Sequence, residues 1–215
     1  MRGLIVLLGA VVLAHIAPAQ AVDPDLQADA NARAQRYALD LQNDPGTPHL
    51  GNAAGDIVVV EFFDYQCPFC KAAEPRLKDL VRADGNIKLV VKDFPILGPV
   101  SVVAAKAALA AERQGKHADF HNALMARKGQ LTEERIYTVA ESVGLDVDQL
   151  KADMISPEVA DQLIENFNLA RKLRISVVPG YIVGGTVLSG LSSETSTAAI
   201  DFGVEVANER ARASN

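Results

Sequence analysis

Two cysteines are all that this chain of 215 residues contains. A multi-bridge disulfide scaffold and a zinc site built from four cysteines are thereby excluded. Basic runs are also missing, and the formal charge is −6. Nucleic acid and acidic membrane surfaces are therefore not expected partners. Past the first residues, no apolar stretch approaches the ~20 residues of a membrane span. No internal repeat or low-complexity tract is visible, which leaves out solenoids and disordered linkers. Nearly half of the residues are apolar, enough for one packed domain of ordinary size without crosslinks.

The opening residues do carry a pattern. Arg2 precedes the apolar run Leu4 to Ala14, and Ala19-Gln20-Ala21 follows. Charge, apolar core and small residues in that order predict a secretory signal over residues 1–21, cleaved after Ala21. No cysteine follows the cleavage point, so no lipid anchor is expected there. The mature protein is expected to be soluble and either periplasmic or secreted.

The two cysteines lie three positions apart, as Cys67-Pro68-Phe69-Cys70, directly after the run Ile57-Val58-Val59-Val60-Glu61-Phe62-Phe63. A β-branched run that meets such a motif reads as a strand feeding the first turn of a helix. The start of a helix offers unpaired N–H groups and the positive end of the dipole, and both favour a thiolate. A structural staple closing so short a loop removes little chain entropy, which points to reactivity instead.

Residues 23–44 form a helical segment with Leu26, Ala30, Ala34, Tyr37 and Leu41 on one stripe, either laid against its own domain or self-associating. Residues 22–52 thus read as an N-terminal helix and linker, and residues 53–215 as the main domain. Within it, strands cover about 57–64 and 87–93, flanking a helix over 67–83 that Pro75 could kink. Helical patterning fills about 98–174. Ser156-Pro157 supplies an N-cap with proline at the first helical position. Gly184-Gly185 joins two short β-rich runs as a hairpin. A last helix starts at Ser192 or Ser193, although Ile200, Phe202, Val204 and Val206 also alternate as in a strand. Strand, helix, strand, helical block, hairpin and helix make an α/β sheet covered on both faces.

The segment Glu61 to Lys71 resembles the active-site segment of the DsbA family of thiol–disulfide oxidoreductases. Val177-Val178-Pro179-Gly180-Tyr181 and the hairpin behind it resemble that family's cis-proline loop. Phe94-Pro95, the alanine-rich helix and Gln114 to His121 resemble its inserted region. The resemblance implies a thioredoxin fold with a helical subdomain inserted between the second strand and the cis-Pro hairpin. It implies that Cys67 is the exposed nucleophile and Cys70 the shielded resolving thiol. Pro68 and Phe69 would shape the surroundings of the sulfurs. Phe69 stands where the best-known oxidases of the family have histidine, and it cannot donate to a thiolate.

Glu61 matches the family's buried acid, with a raised pKa and a proton-passing role beside Cys70; the alternative is a glutamate ending an edge strand in solvent. Asp64 reads as a surface or capping residue. Pro179 would be cis, and the Val178 carbonyl and N–H would pair with an extended substrate strand. The redox-active Cys67–Cys70 disulfide itself is the only redox group expected, with no added cofactor. His117 and His121, four apart on a helix, lack an obvious third ligand and read as surface or packing residues, so no metal is expected.

The implied partners are unfolded or cysteine-containing exported proteins and a membrane redox partner. The implied activity is that of an oxidase. Two alternatives stand beside it: an oligomeric isomerase or reductase assembled through residues 23–44, and a Cu(I) carrier using the two thiolates.

Overall fold

The computed structural model describes residues 24–37, 41, 47–189 and 193–213. The expected signal segment, residues 1–21, lies outside the described residues, as do parts of the expected linker and Ser192. The chain folds as α1 (Pro24–Arg36), β1 (His49–Gly51), β2 (Ile57–Phe63), α2 (Pro68–Asp84), β3 (Ile87–Asp93), α3 (Pro99–Ala111), α4 (His117–Ala126), α5 (Glu133–Ser142), α6 (Val147–Met154), α7 (Pro157–Leu173), β4 (Gly180–Val183), β5 (Thr186–Ser189) and α8 (Ser193–Ala213). A short 3-10 turn, Glu112–Gln114, links α3 to α4.

One five-stranded sheet of order β1-β3-β2-β4-β5 organises the molecule. β2 and β3 run parallel, joined through α2, whereas β1, β4 and β5 are antiparallel to their neighbours. This is the mixed sheet of a thioredoxin-like fold, with helices α3 to α7 inserted between β3 and the β4–β5 hairpin. β2 is central, and its two faces are buried because Val59, Val60, Phe62 and Phe63 have packing on both sides. A glutamate in that strand therefore cannot reach solvent, and the edge-strand alternative for Glu61 is ruled out by its place in the sheet.

One local outcome differs from the sequence reading, and two settle features that it left open. His49–Gly51 forms a strand against β3 within a stretch of turn-forming residues. A three-residue strand shows too few alternations to be seen as a pattern. Helix α2 runs unbroken through Pro75. The last segment is helical despite its alternation. Ile200 and Val204, one turn apart, are buried, and Gly203 lets the helix approach Val183 closely.

Helix α1 lies on its own domain, against β5 and α7. Its Ala34 is buried while Leu26 remains exposed. The Gln27 side chain donates to the Val187 carbonyl, and Asn31 Oδ1 accepts from the Val187 N–H at 3.0 Å. Both backbone groups of Val187, in the sheet's edge strand, are thus taken up by helix side chains.

Candidate active site

Strand β2 delivers the chain into a turn, Asp64-Tyr65-Gln66, that ends at the start of α2. Cys67 is the N-cap of that helix, Pro68 fills its first turn, and Gly85 ends it with a left-handed cap at φ 71°. The Cys67 Sγ accepts the backbone N–H of Cys70 at 3.3 Å. A sulfur in this place receives an otherwise orphaned N–H and the positive end of the helix dipole. Both cysteines are free thiols in the structure.

The two thiols are driven apart. Hydrogen bonding from the Cys70 side chain, aided by the N–H groups of Cys70 and Phe69, brings the Cys67 thiol down to about 7 against the opposing effect of burial. Burial pushes Cys70 up, and the hydrogen bond to Cys67 and the charges of Glu61 and Cys67 push it further. Cys67 is therefore ionised near neutrality and Cys70 is not.

Cys67 is not an exposed residue, contrary to the sequence expectation: only 2% of its surface is accessible. The Val178–Pro179 loop covers it, and its S–H donates to the Val178 carbonyl at 3.5 Å. The Val178–Pro179 peptide is cis. Pro68 and Phe69 are exposed beside it, with Phe69 at 44%. The fold thus brings Cys67, Cys70, Val178, Pro179, Pro68 and Phe69 to one point on the surface.

Glu61 lies fully buried on β2 and faces Tyr181 across the β2–β4 ladder. Burial raises its carboxyl well above the usual range, and the nearby charges of Glu74 and Cys67 add to this. The Tyr181 hydroxyl opposes the effect. Tyr181 itself is pushed up, first by burial and then by Glu61 and Cys70. Tyr181 was not singled out from sequence, yet the signal existed: two residues past Pro179, it falls opposite Glu61 once the hairpin pairs with β2.

Asp64 is buried and caps the turn, so the surface half of its reading is corrected. One carboxyl oxygen accepts from the Gln66 N–H at 2.8 Å and the other from the Leu97 N–H at 2.9 Å. His117 and His121 are likewise buried, not surface residues. His121 Nδ1 lies 3.0 Å from the Tyr65 hydroxyl, and its Nε2 lies 3.4 Å from Glu74. A carboxylate at Nε2 favours the proton there, which leaves Nδ1 to accept from Tyr65. Burial opposes the Glu74 charge, but His121 and Lys78 outweigh it and hold the carboxyl below its usual range. His117 stacks on His121 and is lowered to about 3 by burial and by that neighbour. Among the described residues no cluster of three or more His, Cys, Asp or Glu side chains is arranged to hold a metal.

A reactive thiol at a helix start, a resolving thiol one turn deeper and a cis-proline loop over both define a thiol–disulfide oxidoreductase domain of the DsbA type. The family model for the DSBA-like thioredoxin domain matches residues 58–199, and the chain belongs to that family. It is similar to a thioredoxin-like oxidoreductase from Silicibacter pomeroyi, with 42% identity and a TM-score of 0.72 over 78% of this chain and 97% of that one. The thiol-disulfide exchange protein alpha-DsbA2 from Wolbachia pipientis superposes with a TM-score of 0.74 at 27% identity, covering 83% of this chain and 98% of that one. Among curated proteins, the Na(+)/H(+) antiporter NhaA 1 of Salinispora arenicola is 32% identical over 145 residues. That match covers 66% of this chain, which spans only 22% of the antiporter's length. Among the described residues no helix is long and apolar enough to cross a membrane.

Proposed function

We propose that the protein is an exported oxidase that donates the Cys67–Cys70 disulfide to cysteine-containing proteins outside the cytoplasm. The observation that carries this reading is the asymmetry of the pair: Cys67, hydrogen-bonded at the helix start, sits at about 7 while Cys70 is pushed up. A stabilised Cys67 thiolate favours the dithiol form and makes the disulfide more ready to be given away.

In the proposed cycle a client thiolate attacks Cys67 Sγ, forming a mixed disulfide and breaking the Cys67–Cys70 bond. Cys70 leaves as a thiolate and takes a proton from the neutral Glu61. A second client thiolate attacks the client sulfur of the mixed disulfide and expels Cys67 as a thiolate, a good leaving group. The client keeps the disulfide, and the protein keeps two electrons for a membrane redox partner to remove. Val178 would align the client backbone beside the sulfurs, and Pro68 and Phe69 would meet its side chains. No group beyond the disulfide is needed for this cycle. Helix α1 uses Gln27, Asn31 and Ala34 within its own domain, which favours this oxidase over an assembly through residues 23–44.

The test is the reduction potential of the pair in glutathione buffers, together with the pH dependence of alkylation. An oxidase should lie above about −200 mV, and one thiol only should react with a midpoint near 7. A potential below about −250 mV would instead make the protein a reductant.

A further inference from the structure

Beside the cysteine motif, a cleft of about 690 Å³ runs between the first turns of α2 and the loop after α4. One wall is Gln66, Pro68, Lys71, Ala72 and Pro75; the other is Met125 to Gln130. Its volume is that of a ligand-sized site. Gln66 and Pro68 flank Cys67 in sequence, so the cleft begins where a client must arrive.

Its charge departs from that of the molecule. The chain as a whole carries −6, yet the cleft is lined by Lys71, Arg127 and Lys128 and by no acidic side chain. Lys71 braces the site, its Nζ donating to the carbonyls of Leu124 and Arg127 at 2.9 and 2.7 Å. With its donors directed at the loop backbone, Lys71 fixes the second wall to the active-site helix. Arg127 Nε is buried with no hydrogen-bond partner, and Lys128 is exposed on the rim. Arg135 donates to the Gln130 carbonyl at 2.7 Å and adds a further cation behind the loop. The nearest acids on the following helix are the exposed Glu133 and Glu134, and Glu133 is engaged by Tyr137. Met125, Ala72, Pro68 and Pro75 supply apolar walls between the cations.

We propose that this cleft is a client-docking subsite that receives an acidic side chain flanking the client cysteine, and so selects clients whose cysteines lie in acidic, partly apolar segments. Arg127 and Lys128 supply the charge and the apolar walls seat the flanking chain. Arg127 is only half-buried as a residue, and the planar fork of an Arg guanidinium suits a carboxylate, which accepts through both oxygens. Rim charges of this kind act mainly on the rate of encounter and weaken with salt.

The proposal rests on the oxidase reading, so its test has one arm that does not need exchange. Two cysteine peptides, identical except for a pair of Glu or a pair of Lys beside the cysteine, are reacted with the oxidised protein. The acidic peptide should react about tenfold faster at low salt, and the ratio should fall toward one in high salt. Arg127→Ala with Lys128→Ala should bring the ratio close to one, and Lys128→Glu should push it further toward the basic peptide. A circular-dichroism melt checks that each variant folds.

In the second arm, the acidic peptide with serine in place of cysteine is titrated against the wild type. Amide resonance shifts at Met125, Arg127 and Gly129 are expected, and they should be lost with the basic peptide. Equal rates for the two peptides, or a preference that survives the double variant, overturn the subsite and leave the oxidase standing. Absence of exchange with shifts still confined to these residues overturns the oxidase and keeps the subsite. Absence of both overturns both.

Discussion

At the residue scale, the site is a set of unequal neighbours. Two thiols three positions apart would titrate alike in a free peptide; here one accepts an N–H at a helix start and the other is sealed beneath it. Glu61 deepens the inequality, and its own titration can be tested. In the unfolded chain its carboxyl ionises around 4.5, whereas burial raises it well above that in the fold. Folding at neutral pH must then take up a proton, so Glu61 lowers stability progressively as pH rises past about 4.5 until its folded pKa is reached, by at most about 1.4 kcal/mol per pH unit. Glu61→Gln removes that dependence. The variant should match the wild type near pH 4.5 and melt higher at pH 8, while its disulfide exchange slows by on the order of tenfold or more. Equal melting temperatures at both pH values would show that Glu61 is ionised in the fold.

Much of this residue-level picture was legible in the chain, since a strand, the Cys67–Cys70 spacing and Pro179 before a glycine-turn hairpin are sequential features. Tyr65, His121 and Glu74 were not. Their contacts join positions 56 and 47 residues apart, and nothing local in Phe120-His121-Asn122 separates a histidine that packs from one bonded to Tyr65. The covering of Cys67 was hidden for the same reason, as Val178 lies 111 residues away.

At the element scale, periodicity served the long helices and failed for short or ambiguous pieces. Ser156 and Pro157 announced the start of α7, and Ser156 does accept from the Val159 N–H at 3.4 Å. β1 has three residues and left no trace. The helix expected from Ser192 or Ser193 is there as α8, and its competing alternation carries no weight because Val204 and Ile200 satisfy a helical spacing as well. The deciding residue is Gly203: a Cβ there would stand 2.9 Å from Val183 Cβ and 3.0 Å from Leu188 Cδ1. Gly203→Ala would gain roughly 1 kcal/mol of helix propensity and lose more to overpacking against the hairpin, about 1–3 kcal/mol. A net fall in stability by denaturant titration is expected; a net rise would mean that α8 can shift away from the hairpin. Because that hairpin carries Pro179 at its entry, the variant should also disturb thiol exchange.

At the scale of the whole molecule, the sheet has little free edge among the described residues. One edge is the three-residue β1, and the other is β5, where Gln27 and Asn31 bind both backbone groups of Val187. Unpaired strand edges template association with other chains. Gln27→Ala with Asn31→Ala should speed hydrogen exchange at the Val187 amide by about fivefold, the equivalent of roughly 1 kcal/mol of lost hydrogen bonding. It should also bring concentration-dependent association in sedimentation. Unchanged exchange at Val187 would show that the helix holds the edge by packing alone.

This closed edge bears on how a client departs. Under the proposed oxidase reading the clients are unfolded chains, whose segments readily extend an open sheet edge. With Val187 of β5 engaged by the chain's own helix, the backbone beside the sulfur is the short Val178 loop. Such a visitor is held chiefly by one covalent bond, and when its second thiol breaks that bond, nothing as long as a strand remains to delay release.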